Sequence, residues 1–203
     1  MALEHEPVLM TVEEYLALEE NDPVNCYEYV DGYVYMMAGG SLDHSAISLN
    51  LCIILKSLLR GSSCRVYNSD IKVRVSQKRY YHPDITVTCD PLDRGKKDTV
   101  QSPCIVFEVL SPSTEMTDRT RKLNDYLSHS TIEEYILVNS HSPKMELYRK
   151  EQGKWVYSVY NALDEIELAC IGRHFAVIDA YEGVEVAEEA DDENGNDGEA
   201  DFS

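Results

Sequence analysis

Two short β-branched runs constrain this chain more than any other feature: His82-Pro83-Asp84-Ile85-Thr86-Val87 and Cys104-Ile105-Val106-Phe107-Glu108-Val109-Leu110. Each reads as a strand, and each carries one carboxylate among apolar neighbours. Their midpoint falls at residue 96, inside Arg94-Gly95-Lys96-Lys97, which has turn composition. Folding back antiparallel about that point brings Asp84 and Glu108 together. Two carboxylates held close on a rigid sheet repel each other, and a divalent cation relieves that repulsion. Hard cations such as Mg²⁺ take oxygen ligands of this kind. A bound Mg²⁺ can activate water and stabilise the charge of a phosphoryl transition state.

The flanking pattern places these strands in a mixed α/β or α+β domain. Thr11-Val12-Glu13-Glu14 is a capping box that predicts a helix to about residue 20. Asp31-Gly32 predicts a hairpin between strands at 26–30 and 33–37. Ile47, Leu51, Ile54, Leu55, Leu58 and Leu59 recur at helical spacing over residues 44–60, before Gly61. Strands are expected at 64–67, 71–75 and 134–138, and a hairpin at 145–149 and 155–160 around Gln152-Gly153. Residues 90–102 read as a polar loop. Thr117 or Asp118 is expected to cap a helix reaching residue 128, and residues 163–181 to add a last strand and a short helix.

Charge and cysteine content narrow the function. The formal charge is −19, of which ten acids, uncompensated by Lys or Arg, lie in residues 182–203. That tail holds almost nothing apolar and is expected to be disordered, so the folded domain is expected over residues 1–181. The remaining body, near −9, argues against a broad DNA-binding face but leaves room for a local basic patch. No apolar run approaches membrane-spanning length, and no signal-peptide pattern opens the chain, so a cytoplasmic protein with no membrane partner is expected. The six cysteines form no C-x-x-C pair, and buried reduced thiols are expected in preference to zinc ligands or disulfides.

The pairing of a Pro-Asp with a later strand carboxylate resembles the PD-(D/E)xK nuclease superfamily. Further strings sharpen the likeness: Tyr27-Glu28-Tyr29-Val30-Asp31-Gly32, Glu108-Val109-Leu110-Ser111-Pro112-Ser113-Thr114, Asp118, Lys122, Tyr126, and Glu134-Tyr135-Ile136-Leu137-Val138. Together they resemble the Uma2 family of restriction-endonuclease-like proteins, over about residues 10–181.

The resemblance implies a restriction-endonuclease-like core with added C-terminal strands, and a metal-dependent endonuclease that hydrolyses DNA. It implies Asp84 and Glu108 as ligands of Mg²⁺ or Mn²⁺, with Glu28 completing the acidic cluster directly or through water. The superfamily places a Lys two residues after the second acid, where this chain has Leu110. The resemblance moves that amine to Lys122 on the following helix, to orient the attacking water or stabilise the phosphate. Arg119 and Tyr126 share a helix face with Lys122 and, with His44, are candidate substrate contacts. A homodimer, each site cutting one strand, is common in the superfamily.

Ordinary alternatives stand beside these roles. Asp84 alone suits a turn. Glu108 suits an edge strand, although an unpaired charge among Val106 and Leu110 would be costly. Glu28 suits a solvent-facing strand position, His44 a plain helix start, and Lys122 a charged helix surface. Asp70-Ile71-Lys72 also fits a D-x-K string but precedes the Pro-Asp strand. Ser111 to Thr114 suit a turn, and Arg94, Lys96 and Lys97 a solvated loop or a small phosphate contact. A second functional reading is a catalytically inactive nuclease-fold module whose acidic tail masks a basic patch. A hydrolase acting on another phosphoester is a third.

Overall fold

In the computed structural model the two motif strands pair antiparallel, Ile85 opposite Phe107 and Val87 opposite Ile105, so the reversal is centred on residue 96. The structure describes residues 8–37 and 39–185, and the expected disorder of the tail from 186 onward lies outside the described residues. In chain order the first half comprises β1 (Val8–Leu9), α1 (Val12–Asn21), β2 (Tyr27–Val30), β3 (Tyr33–Met36), α2 (Leu42–Leu58), β4 (Arg65–Asn68), β5 (Lys72–Ser76), β6 (Arg79–Tyr81) and β7 (Ile85–Thr88). Then come β8 (Thr99–Val100), β9 (Pro103–Val109), α3 (Glu115–Thr117), α4 (Leu123–Ser128), β10 (Glu134–Val138), β11 (Lys144–Glu151), β12 (Lys154–Asn161), β13 (Glu165–Leu168) and β14 (Arg173–Ala176).

These strands form two six-stranded sheets, β1-β3-β2-β6-β5-β8 and β12-β11-β10-β9-β7-β4, and a ribbon of β13 and β14. The mixed α+β class is as expected. Local chemistry sets the elements. The Thr11 hydroxyl accepts from the Glu14 N–H at 3.2 Å, and the Glu14 carboxylate accepts from the Thr11 N–H at 2.7 Å, closing the capping box of α1. Asp31 and Gly32 take φ of 51° and 104°, the left-handed pair that a two-residue hairpin turn needs. α2 starts two residues before the expected His44, because the Ser41 hydroxyl accepts from the His44 N–H.

β9 is the centre of the molecule. All seven of its residues are buried, between antiparallel β7 and parallel β10. Alternation divides its side chains. Ile105, Phe107 and Val109 pack with Ile47, Leu51 and Leu55 of α2 and with Ile166, Leu168 and Phe175 of the ribbon. Val106 and Leu110 turn the other way, toward Tyr126, Tyr135 and Tyr81. Each large side chain buried in this way contributes roughly 1.5–3 kcal/mol. Parallel pairing of β9 with β10 requires a crossover, which residues 111–133 supply.

Several expectations need correction. Residues 163–181 form a two-stranded ribbon rather than one strand, and the expected short helix follows as a 3₁₀ helix at Val177–Tyr181. The polar loop at 90–102 contains a 3₁₀ turn and β8. Asp93 is buried there, where its carboxylate accepts from the Gln101 and Ser102 N–H groups. Cys64 and Cys89 are joined by a disulfide rather than reduced. The cause is register: Arg65 pairs with Thr88, so the two cysteines meet one step beyond the ends of β4 and β7. Cys26, Cys52, Cys104 and Cys170 are free thiols. Asp70 and Lys72 do not form a site: Asp70 accepts from Asn68, while Lys72 is buried between Glu19 and Asp98. No helix among the described residues is long and apolar enough to cross a membrane.

The Glu19 carboxylate that holds Lys72 also ties α1 to the sheets through His82. The His82 Nδ1 lies 2.8 Å from the Ser69 carbonyl, and its Nε2 lies 2.9 Å from the Glu19 carboxylate. Both partners are acceptors, so both ring nitrogens carry protons. Burial opposes the imidazolium, but the Cys26 and Glu19 contacts win and raise its pKa from 6.5 to about 9. A raised folded-state pKa gives stability that is complete below the unfolded value and is lost as pH climbs through the folded one. Stability should therefore decline from pH 6.5 to about 9, by about 3 kcal/mol from this group. Urea melts across that range should show the decline in the wild type and a flatter profile in His82→Gln.

Candidate active site

The register of β7 and β9 places Asp84 directly across from Glu108. The two are linked through the backbone: the Val109 N–H donates to Asp84 Oδ2 at 2.7 Å, and the Asp84 N–H makes a long contact to Glu108 Oε2 at 3.4 Å. His44, from the first turn of α2, puts its Nε2 3.2 Å from Asp84 Oδ2. Gly40 packs against this ring so closely that a Cβ there would stand 2.7 Å from His44 Nδ1. The Asp84 hydrogen bond favours the imidazolium and raises the His44 pKa, although burial works in the opposite direction.

Behind this pair lies a buried charge cluster. Between α3 and α4, residues Asp118–Lys122 form one turn of π-helix. It sends both Asp118 and Lys122 inward, four residues apart, and both are buried. The Lys122 ammonium lies 2.8 Å from Glu28 Oε1, 3.1 Å from Glu108 Oε1 and 3.3 Å from Asp118 Oδ1. The Tyr126 hydroxyl donates to the same Glu108 oxygen at 3.1 Å. Glu28 Oε1 and Asp118 Oδ1 touch the ammonium as ion pairs, without aligned hydrogen bonds and without other partners.

The charges in this cluster do not cancel. One ammonium faces three buried carboxylates, and Asp84 adds a fourth at the edge. Burial, reinforced by Asp118, Asp84 and Glu28, drives Glu108 well above the ordinary carboxylate range despite the pull of Lys122. Burial likewise raises Asp118. For Lys122, burial works against the charged form, but Glu108, Glu28 and Asp118 together outweigh it and hold the amine protonated well past its usual range. Lys122 is therefore a hydrogen-bond donor and a positive charge in this arrangement, not a base.

The sequence-derived candidates separate into two groups. Asp84, Glu108, Glu28, Lys122, Tyr126 and His44 are brought together. Arg119 is not: the π turn rotates it away from Lys122, and its guanidinium is held bidentate by Glu146 at 2.8 and 2.7 Å and by Glu115 at 2.8 Å. Asp118 joins the cluster although the sequence suggested only a helix cap for it. Its spacing of four from Lys122, in a string already matching the Uma2 pattern, was the available signal. The helix in fact begins at Glu115 and has no side-chain cap, and Ser111 to Thr114 form the turn before it.

Among the described residues no three His, Cys, Asp or Glu side chains already stand in a metal-binding arrangement, because the Lys122 ammonium lies between Glu28, Glu108 and Asp118. Two oxygens are uncommitted. Asp84 Oδ1 has no protein partner among the described residues, and Glu108 Oε2 has only the long contact to the Asp84 N–H. They are hard donors from directly opposed positions, and Mg²⁺ commonly takes one or two carboxylates and fills its other places with water and substrate phosphate. The residues fit such an ion. A cleft of about 1150 Å³ opens from Asp84 and His44 along α2, lined further by Ser45, Ser48, Lys56 and Arg60.

Comparison with known proteins gives the family and the fold of the chain. The chain is 42% identical over 177 residues to the uncharacterized protein slr1290 of Synechocystis sp. (strain ATCC 27184 / PCC 6803 / Kazusa), covering 86% of this chain and 93% of the relative. A second uncharacterized protein of that organism, sll1609, is 26% identical over 145 residues, covering 70% and 81%. The fold matches a solved structure from Anabaena variabilis ATCC 29413, described as a putative nuclease belonging to DUF820, with a TM-score of 0.69 at 20% identity over 85% of this chain and 98% of that one. The family model described as "Uma2: Putative restriction endonuclease" matches residues 12–177, and the chain belongs to that family.

Proposed function

We propose that this protein is a metal-dependent endonuclease that hydrolyses phosphodiester bonds, with DNA as its substrate. The observation that carries the reading is the opposed Asp84–Glu108 pair, each with a free oxygen, beside a buried and charged Lys122. The family's description and the nuclease title of the Anabaena structure support it. Asp84 and Glu108 would hold Mg²⁺ or Mn²⁺. When bound, such an ion supplies charge neutralisation at phosphorus and lowers the pKa of water.

The chain's own residues do the rest. Sheet geometry fixes Asp84 relative to Glu108, so the cation and the scissile phosphate meet in one place. Lys122 and Tyr126 both donate to Glu108 Oε1, which turns its other oxygen toward Asp84. Lys122 also offers fixed positive charge toward the developing charge on phosphorus. Glu28 contacts the ammonium rather than the Asp84 side, so its role is to position Lys122. His44, whose pKa the Asp84 contact raises, stands at the cleft as a donor to a phosphate oxygen or to the leaving group.

One observation favours a second reading, an inactive nuclease-fold module. The ammonium that would serve the reaction is already enclosed by three carboxylates. Calorimetric titration of Mg²⁺ and Mn²⁺ separates the two. The nuclease reading expects binding by the wild type and none by Asp84→Ala/Glu108→Ala. It also expects binding to tighten as pH rises, with protons released, because Glu108 is held protonated above its ordinary range and must lose that proton to a cation. No binding by either protein, with or without an oligonucleotide present, would overturn it.

Substitutions then test individual roles. Glu108→Gln keeps the shape and hydrogen-bonding capacity of the side chain and removes the anion, so Mg²⁺-dependent cleavage of plasmid or oligonucleotide should fall at least a hundredfold while the melting temperature holds or rises. Lys122→Met leaves three buried carboxylates unpaired, and loss of one partner from such a cluster costs about 3–5 kcal/mol. A denaturant melt should show that loss. Gly40→Ala sets a Cβ 2.7 Å from His44 Nδ1. Because the ring can swing aside, the fold should survive, and cleavage should fall along with the His44 signature in the pH–rate profile. An unchanged profile would remove His44 from the reaction.

A further inference from the structure

Eighteen Lys and Arg residues are set against thirty-seven acids in this chain, yet five of them gather at one place. Lys56 and Arg60 line the far end of the cleft, at the C-terminal end of α2. Arg65 donates to the Ser62 and Cys64 carbonyls, Arg94 to the Ser63 carbonyl and Arg173 to the Leu58 carbonyl, so three more guanidiniums close on the same turn. All five side chains are exposed, and none forms an ion pair among the described residues. Of the other thirteen, Lys72, Arg79, Lys96, Lys97, Arg119, Lys122 and Arg149 are each matched with a carboxylate, and Arg74, Lys78, Arg121, Lys144, Lys150 and Lys154 form no ion pair among the described residues but lie outside this turn and the cleft lining. A helix C-terminus attracts one or two cations through its dipole. Five, three of them from outside the helix, exceed that need.

The cleft itself carries the same sign. Its charged lining is Lys56, Arg60, His44 and Asp84, so the one acid is the candidate metal ligand. Between the two ends, Leu49 and Ile53 of α2 stand largely exposed, at 60% and 59%. At 1.5 Å per helical residue, Lys56 lies about 18 Å along the axis from His44. That is about five steps of a nucleic-acid backbone at ~3.4 Å per step. A polyanionic strand with flat apolar bases matches both features.

We propose that the cleft along α2 is the track for a nucleic-acid strand: its backbone phosphates bind Lys56 and Arg60, with Arg65, Arg94 and Arg173 extending the contact, and its reactive phosphate lies at Asp84. This rests on the nuclease reading for the position of the reactive phosphate, but not for the binding itself. Among the described residues Lys56 and Arg60 make no side-chain hydrogen bond, so replacing them leaves the fold intact.

The test is fluorescence anisotropy of a labelled oligonucleotide, single-stranded and duplex, with the full chain in EDTA, where no cleavage occurs. Lys56→Ala/Arg60→Ala should weaken binding at least tenfold. It should also flatten the dependence of log affinity on log salt, at about 0.7 per lost phosphate contact for a single strand. Lys78→Ala/Lys154→Ala, with the same change in net charge elsewhere, should stay within about twofold of wild type. No binding of either oligonucleotide by the wild type, or equal losses in the two variants, would overturn the proposal. The two readings fail separately. Strand binding that depends on Lys56 and Arg60, without cleavage under any metal, would remove the nuclease reading and leave the track. Cleavage with an unchanged KM in Lys56→Ala/Arg60→Ala would do the reverse.

Discussion

The Lys122 ammonium lies within 3.3 Å of carboxylates from three separate elements: Glu28 of β2, Glu108 of β9 and Asp118 of the π turn. A desolvated charge is tolerable only when every partner is in place. β2 belongs to the first sheet, β9 to the second, and Asp118 to the crossover between β9 and β10. Compensation of this one charge therefore requires both sheets and the connecting helix to be assembled together. Three carboxylates against one ammonium also over-compensate it. Burial lifts the Glu108 pKa, the residual negative charge adds to that shift, and a divalent cation at the Asp84 edge would relieve the charge. Structural cohesion and the proposed metal affinity would thus draw on the same imbalance.

The surroundings of the cluster explain an odd feature of composition: fourteen tyrosines against three phenylalanines. The layer between the two sheets needs large rings to fill it and hydroxyls to serve buried acceptors. Tyr81, Tyr126, Tyr135 and Tyr148 follow one another with centroids 5.7, 5.0 and 6.3 Å apart. Their hydroxyls are used: Tyr126 donates to Glu108, Tyr81 to Asp125, and Tyr135 to the Asp118 carbonyl. Phenylalanine would supply the area and leave those acceptors short of donors. The low-polarity rings also strengthen every interaction within the ion cluster.

Much of this was legible in the sequence because it depends on local signals or simple geometry. The midpoint at residue 96 gave the β7–β9 register, and alternation gave the face of Glu108. The capping box and the Asp31-Gly32 turn were read from residues in contact with one another. What was hidden depends on features with no sequence period. A single π turn in residues 118–122 decides that Asp118 enters the cluster and Arg119 leaves it, and an ideal helical wheel predicts the opposite for Arg119. The Cys64–Cys89 bond follows from the pairing of β4 with β7, strands separated by β5 and β6 in the chain. The gathering of Arg65, Arg94 and Arg173 on one turn joins residues more than a hundred positions apart.

That last gathering changes what the net charge means. A chain at −19 repels polyanions at long range, but the potential near a surface is set by charges within roughly a Debye length, about 8–10 Å. The net negative charge of the candidate site sits at the Asp84 and His44 end of the cleft, about 18 Å along α2 from Lys56 and so beyond a Debye length from it. The exposed cations at the end of α2 have no carboxylate partners among the described residues. Local sign in the cleft is therefore decoupled from global sign. On the proposed track, an acidic protein with this arrangement would hold a nucleic-acid strand along one channel while repelling it elsewhere, which favours one binding path over diffuse adhesion. Its affinity should be modest and strongly dependent on salt, since few phosphates are neutralised and the rest of the surface opposes them.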